Sequence, residues 1–302
     1  MFSIRPVRSL DLDDRLVALE FLFADLPSDE RPFRIRQAIT ALDEKKLDPE
    51  NVFTGWVGSR VEGILVCEVL PGRTANVWPI RVRSRFVQIE MEDALFSQAL
   101  QRCRYGGATF AQSLLPSDDS SGREAARRNG FQRITRVLGM RCELPIPFEP
   151  SPIRLRMESG STADRDRFKR ILMSTFDDSL DCPELDGLRT PEEIVEGHLA
   201  ASPDRARWRL AWAAEEPVGV LILGEGDSSE RVDLSYMGVV PAARGRGIGK
   251  SMLSASLHQL AIAGAKEVTL LVDERNRPAI DLYHKHGFHS VDGREVFLRV
   301  GL

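Results

Sequence analysis

Apolar and polar positions follow two different periods along this chain, and the change of period marks its elements. Three stretches, WRLAWAAE (208–215), PVGVLILG (217–224) and RVDLSYMGVV (231–240), are apolar runs of strand length broken by short polar or glycine-bearing turns. They predict neighbouring strands. From 164 to 176 the period lengthens: Phe168, Ile171, Leu172 and Phe176 recur at helical spacing, so DRDRFKRILMSTF is expected to be a helix with one apolar face. A second helix is predicted around PEEIVEGHLA (191–200), opened by Pro191, whose fixed φ suits a first turn. GIGKSMLSASLHQLAIAG (247–264) reads as a helix ending on glycine, EVTLLV (267–272) as a strand and RPAIDLYHKHG (277–287) as another glycine-closed helix. IRLRM (153–157) and EVFLRVG (295–301) read as the first and last strands of this half. Hairpins early and strand–helix crossovers late predict an α/β fold of α+β type with a mixed sheet.

The same order recurs upstream. Prolines at 145, 147, 150 and 152 make CELPIPFEPSPIRLR a poor helix or central strand, and a linker is expected at about 145–152. Across it, Gly107 and Gly264, Gly130 and Gly287, and Phe131 and Phe288 are related by one constant offset, which also pairs WPIRVRS (78–84) with SYMGVVP (235–241). An offset smaller by one residue pairs FTGWVGSRVEGILV (53–66) with RLAWAAEEPVGVLI (209–222). The two halves also open alike, SIRPVRSLDLDD against PIRLRMESGSTAD, and four aligned blocks in one order predict a tandem duplication, with domains at 1–145 and 152–302.

Length agrees, since 302 residues suit two domains of about 150 each. A net charge of −4 gives no general attraction to nucleic acid or an anionic membrane, and neither partner is expected. The four cysteines form no C-x-x-C pair. The N-terminus lacks an apolar signal core, and no stretch reaches the roughly 18 apolar residues of a membrane helix. A cytoplasmic protein is the expectation.

The stretch that carries chemistry is VVPAARGRGIGKSML (239–253). Walker A requires G-x-x-x-x-G-K-[ST]; GKS is present at 249–251, but Arg244 stands where the first glycine belongs. This argues against a nucleotide-dependent kinase. The dinucleotide pattern G-x-G-x-x-G fails as well, because glycines 245, 247 and 249 alternate. A third pattern, R/Q-x-x-G-x-G/A between a strand and a helix, is met by Arg244, Gly247 and Gly249. By this motif the second half resembles the GCN5-related N-acetyltransferases (GNAT), which bind acetyl-coenzyme A there. The first half resembles a degenerate copy. Residues without a Cβ let backbone N–H groups approach a pyrophosphate, and the following helix N-terminus adds a favourable dipole.

The resemblance implies an N-acetyltransferase that moves an acetyl group from acetyl-CoA to a primary amine of a small molecule or peptide, by direct attack. It places Val239, Val240, Arg244, Gly245, Arg246, Gly247, Ile248, Gly249, Lys250 and Ser251 against the cosubstrate. Asn276 bonds the pantetheine or caps a helix. Tyr283, in NRPAIDLYHKHGF, matches the tyrosine that protonates the departing thiolate. The strand before the loop parts from its neighbour in this family and offers backbone N–H groups to the thioester, here within Met237–Gly238–Val239, with Val239 the expected oxyanion donor. A tandem member of the family holds a carboxylate where Asp233 stands. Strand alternation puts Asp233, Ser235, Met237 and Val239 on one face, so Asp233 is the candidate base, acting directly or through water.

The loop 175–187 carries Asp177, Asp178, Asp181, Glu184 and Asp186, which would favour a cationic acceptor or simply be solvated. His284, His286 and His289 do not share a helix face, and no metal is expected. An acyl-CoA-binding module without turnover is the alternative function, since an intact loop alone would support it. In the first half, RFVQIEME (85–92) replaces the loop: Gln88, Glu90 and Glu92 stand for glycines, Ala126 for Tyr283 and Asp119 for Asn276. Carboxylates there would repel a pyrophosphate, and that half is expected not to bind acetyl-CoA.

Overall fold

The computed structural model describes residues 1–24, 28–29, 31–44, 47–146, 153–226 and 228–302. The linker expected at about 145–152 lies, from 147 onward, outside the described residues. The chain runs through β1 (Phe2–Pro6), α1 (Leu12–Leu22), α2 (Arg31–Asp43), β2 (Val52–Val57), β3 (Arg60–Leu70), β4 (Thr74–Val77), β5 (Arg81–Val82), α3 (Gln88–Tyr105), β6 (Phe110–Pro116), α4 (Ser120–Arg128) and β7 (Gln132–Glu143). It then repeats the succession as β8 (Arg156–Ser159), α5 (Arg165–Ser174), α6 (Pro191–Ala201), β9 (Trp208–Ala213), β10 (Glu216–Glu225), β11 (Arg231–Val239), α7 (Ile248–Ile262), β12 (Glu267–Asp273), α8 (Arg277–Lys285) and β13 (His289–Val300). The repeat read from the sequence is thus a repeat of elements, interrupted only where β4 and β5 together answer to β11.

The chain forms two compact units, one of Met1–Ile134 with Glu295–Leu302, the other of Thr135–Arg294. In the first, strands lie in the order β1-β2-β3-β4-β6, followed by the end of β13, with β5 also on β3. In the second, the start of β13 lies beside β7, and the order continues β7-β12-β11-β10-β9-β8. Most of β7 therefore belongs to the second unit. There it runs antiparallel to β12, from Glu143 opposite Glu267 to Val137 opposite Asp273.

Side-chain alternation divides the second unit into two layers about its sheet. On β10, Leu221 and Leu223 pack with Ile248, Met252, Leu257 and Ile280 of α7 and α8. Val220 and Ile222 pack with Phe168, Leu172 and Ile194 of α5 and α6. Each such buried aliphatic stabilises the fold by about 1.5–3 kcal/mol. The covering helices are well started. Asp164 accepts the Arg167 N–H at 2.7 Å, and Thr190 with Glu193 forms a reciprocal capping box at the head of α6.

Candidate active site

β11 and β12 pair in parallel only as far as Asp233 opposite Thr269. Beyond that point β11 stays with β10, to Val239 opposite Gly219, and β12 stays with β7. Two strands held by their outer neighbours, and no longer by each other, leave a wedge. A cavity of about 230 Å³ adjoins it, bordered by Tyr236, Val239, Arg244, Asn276 and Tyr283 among others.

The backbone of β11 exposes one edge to this wedge. Val240 N–H donates to Val218 C=O at 3.0 Å, on the β10 side, whereas Val239 C=O accepts from Arg244 Nε at 3.0 Å. In an extended strand successive peptide groups point to opposite edges, so the Val239 N–H faces away from β10, as does that of Met237.

A β-bulge corrects the expected face of Asp233. The register slips between Ile222 opposite Tyr236 and Leu223 opposite Leu234, which leaves Ser235 as the extra residue. Met237 and Val239 pack with the α7–α8 core, as Val232 and Leu234 do, while Tyr236 packs with α5 and α6. Asp233 stands opposite Gly224, on the α5–α6 side with Ile222 and Tyr236, and does not share a face with Val239. Its carboxyl accepts the Ser235 hydroxyl at 2.8 Å and, more weakly, that of Thr269 at 3.5 Å. Burial pushes its pKa up, and the two hydroxyls act in the opposite sense. Ser235 borders the cavity and Asp233 lies behind it.

From the other layer α8 brings Tyr283, buried with its ring 5.5 Å from that of Phe288. Among the described residues its phenol has no hydrogen-bond partner, and the residue borders the cavity. Burial, and then the proximity of Asp181 and Tyr236, push its pKa up, so it keeps its proton at any physiological pH. Asn276, which also borders the cavity, caps α8: its Oδ1 accepts the Ala279 N–H at 3.3 Å.

The glycine loop lies between β11 and α7. Gly245 and Gly247 hold φ of 71° and 78°, a region costly for residues with a Cβ. Gly247 is the N-cap of α7 and supplies no side-chain cap. The first i to i−4 bond joins Ser251 N–H to Gly247 C=O at 3.1 Å, so the earlier amides of the helix head point out of it. Arg246 and Lys250 are exposed and Ile248 is buried, while the Ser251 hydroxyl turns back onto Gly247 C=O at 3.2 Å. Outward amides, a dipole, cations and two glycine-only backbone positions fit a diphosphate.

Arg244 is placed otherwise than its charge suggests. Besides Val239 C=O, its guanidinium donates to the carbonyls of Asp178 (3.1 Å), Thr175 (3.1 Å) and Asp177 (2.7 Å), and its own N–H donates to Pro241 C=O at 3.1 Å. The acidic loop that it grips is docked at its far end too. Arg275 forks onto Glu184 at 2.6 and 2.8 Å and bonds Asp273 at 2.7 Å. Asp273 is fully buried, accepts Cys182 N–H at 3.1 Å, and donates its own N–H to Asp181 at 2.8 Å. Glu184 and Asp181 are therefore engaged within the fold. His284 and His286 are likewise held locally, on Phe288 C=O at 3.0 Å and Leu282 C=O at 2.7 Å.

Two residues of the site carried no mark in the sequence. Thr175 donates to Leu172 C=O at 2.6 Å, which leaves its oxygen to accept the Tyr236 hydroxyl at 2.8 Å. The Tyr236 ring packs 5.1 Å from Phe176 and 5.4 Å from His198, and burial pushes its pKa up to about 12. The bulge at Ser235 is what turns this tyrosine toward α5 and α6, and only the strand pairing reveals it.

A parted parallel pair above a glycine-capped helix, in a chain whose order of elements repeats, defines a class. Residues 172–288 match the model of the acetyltransferase (GNAT) family. The chain is 30% identical over 198 residues to the mycothiol acetyltransferase of a Nocardioides species, covering 60% of this chain and 67% of that protein. It is 34% identical over 165 residues to that of Gordonia bronchialis, where the match spans 54% of this chain and about half, 52%, of the relative. This chain belongs to the GNAT acetyltransferase family. A GCN5-related N-acetyltransferase of Sphaerobacter thermophilus shares the fold with a TM-score of 0.64 at 18% identity, over 100% of this chain and 97% of that one. A tandem GNAT protein of the clavulanic acid pathway does so with a TM-score of 0.55 at 17% identity, over 99% and 98%.

Proposed function

We propose that the second unit transfers an acetyl group from acetyl-CoA to a primary amine by direct attack. The observation that carries this reading is the wedge between β11 and β12, with an amide edge on one side, a buried phenol on another and an uncapped helix head at its end. Amides of Gly245 to Lys250 would hold the diphosphate, with Arg246 and Lys250 adding charge; Asn276 borders the cavity, while Val240 spends its N–H on Val218. Acetyl-CoA supplies an activated acyl carbonyl. Val239 N–H, with Met237 N–H on the same edge, stabilises negative charge on that oxygen. Tyr283 releases its proton toward the sulfur side.

On the opposite side of the sheet, Ser235 hands the amine's proton toward Asp233. Asp233 lies six residues before Val239, about 20 Å along an extended strand, so it acts through the serine and water rather than by contact. The two layers thus separate the basic from the acidic step. The relatives' name makes the amine precursor of mycothiol the first acceptor to test, beside other small amines.

We also propose that the first unit holds no acetyl-CoA. α3 begins at Gln88, one turn ahead of the residue that answers to Ile248, so helix stands where the second half has its loop. Glu92 is buried there against Arg128 at 2.5 Å.

Acetyl-CoA with a panel of amines, read by release of free thiol, tests the reading. Turnover that Tyr283→Phe abolishes supports it. Tight acetyl-CoA binding with no turnover on any amine would favour the acyl-CoA-binding module instead.

A further inference from the structure

We infer that Arg244 is a positioning residue that latches the acceptor-side loop to the cosubstrate loop, and that acetyl-CoA binding thereby sets the placement of residues 175–182. This rests on the acetyl-CoA reading above.

Four of the five guanidinium hydrogens of this arginine are spent on main-chain carbonyls. Nε reaches Val239 C=O, Nη1 reaches Asp178 C=O, and Nη2 reaches both Thr175 and Asp177 C=O, at 2.7–3.1 Å. Its backbone N–H is engaged by Pro241. The residue that opens the phosphate motif therefore keeps one Nη1 hydrogen, and no amide, for a phosphate, and most of its donors serve the fold. It joins three segments instead: the end of β11, where the acyl oxygen is to be held, the start of the glycine loop, and the turn after α5.

That turn is one that needs holding. Asp178 has φ of 55°, uncommon for a residue with a Cβ, and the chain leaves α5 at Thr175 with no regular element until the short turn at Pro183–Leu185. Charged donors onto neutral carbonyls are among the stronger hydrogen bonds, and four converge here. The turn carries Asp178 and Asp181, both on the cavity, and Thr175, which positions the Tyr236 hydroxyl. A ligand that orders the glycine loop orders its first residue, and through that guanidinium the acceptor wall.

Amide hydrogen exchange of the whole chain, with and without acetyl-CoA, tests this, with Arg244→Gln and Arg244→Lys compared. In the wild type acetyl-CoA slows exchange over 175–182. Both variants exchange that segment roughly tenfold faster and lose the response, because neither side chain spans the carbonyls, while their Kd for acetyl-CoA rises by less than about fivefold. A Kd that rises more than about fivefold in Arg244→Gln and is restored by lysine marks Arg244 as a phosphate ligand and overturns the inference. So does a loop that exchanges as in the wild type. Absence of any acetyl-CoA binding by the wild type strikes the functional reading itself and leaves the faster exchange of the ligand-free variants as the measure of the latch.

Discussion

Asp233 accepts the hydroxyl of Ser235 at 2.8 Å, and only the serine reaches the cavity wall. A base that works through a hydroxyl loses more when the carboxylate goes than when the relay goes, since water can replace an oxygen but not a charge. Asp233→Asn is expected to lower kcat/KM by about 10²-fold and Ser235→Ala by about tenfold, measured by thiol release over pH 6–9. Stability should move the other way. The folded pKa of Asp233 is raised, so its contribution is full below the unfolded carboxyl pKa and lost as pH rises through the folded one. Asp233→Asn should therefore raise Tm at pH 8 and lose that advantage in acid.

Tyr283 should show the complementary behaviour. Tyr283→Phe keeps the ring against Phe288 and removes only the proton, so kcat falls by about 10²–10³-fold with acetyl-CoA affinity unchanged. Because its pKa is raised, the wild type holds its activity up to about pH 10, the ordinary tyrosine value. An unchanged kcat in the phenylalanine variant would remove the phenol from the mechanism.

Gly247 tests the cradle. At φ of 78° any side chain is strained, and a Cβ would stand 3.1 Å from Ile153 Cδ1. Gly247→Val is expected to weaken acetyl-CoA binding by more than about tenfold, as calorimetry would read, and to cost about 1–3 kcal/mol of stability. Gly107, also at positive φ but in the first unit and with open space where a Cβ would stand, offers a backbone-strain comparison that should leave binding intact.

His198 packs on Tyr236 and Trp208, and burial, with the charge of Arg189, lowers its pKa to about 4. A depressed histidine contributes stability above its unfolded pKa of 6.5 and loses it as pH falls toward 4. Thermal melts should decline across that window, and His198→Phe should flatten the decline. A variant whose melts track the wild type over the same range would show that the ring is not desolvated.

The loop was legible because its signals are local: glycine, cation and the flanking change of period all fall within fifteen residues (239–253). The elements of the second half, β9 to α8, were legible for the same reason. What escaped reading depends on partners distant in sequence. The face of Asp233 turned on one unpaired residue, visible only in the β10–β11 register. Arg244 looked like a phosphate ligand because its charge is in the sequence and its four carbonyls are not. The acidic loop likewise hid that Arg275 holds Glu184 and that the Asp273 N–H holds Asp181.

Strand β7 is encoded ahead of the prolines, yet it pairs with β12 in the sheet that carries the chemistry. A gene trimmed to begin at residue 152 would leave β12 with a bare row of amides and carbonyls, the kind of border on which chains aggregate. The last residues of β13 are owed in return to the first unit. A second half cut free of residues 135–143 would thus lose a strand of its own sheet, whether or not the upstream copy ever binds a ligand.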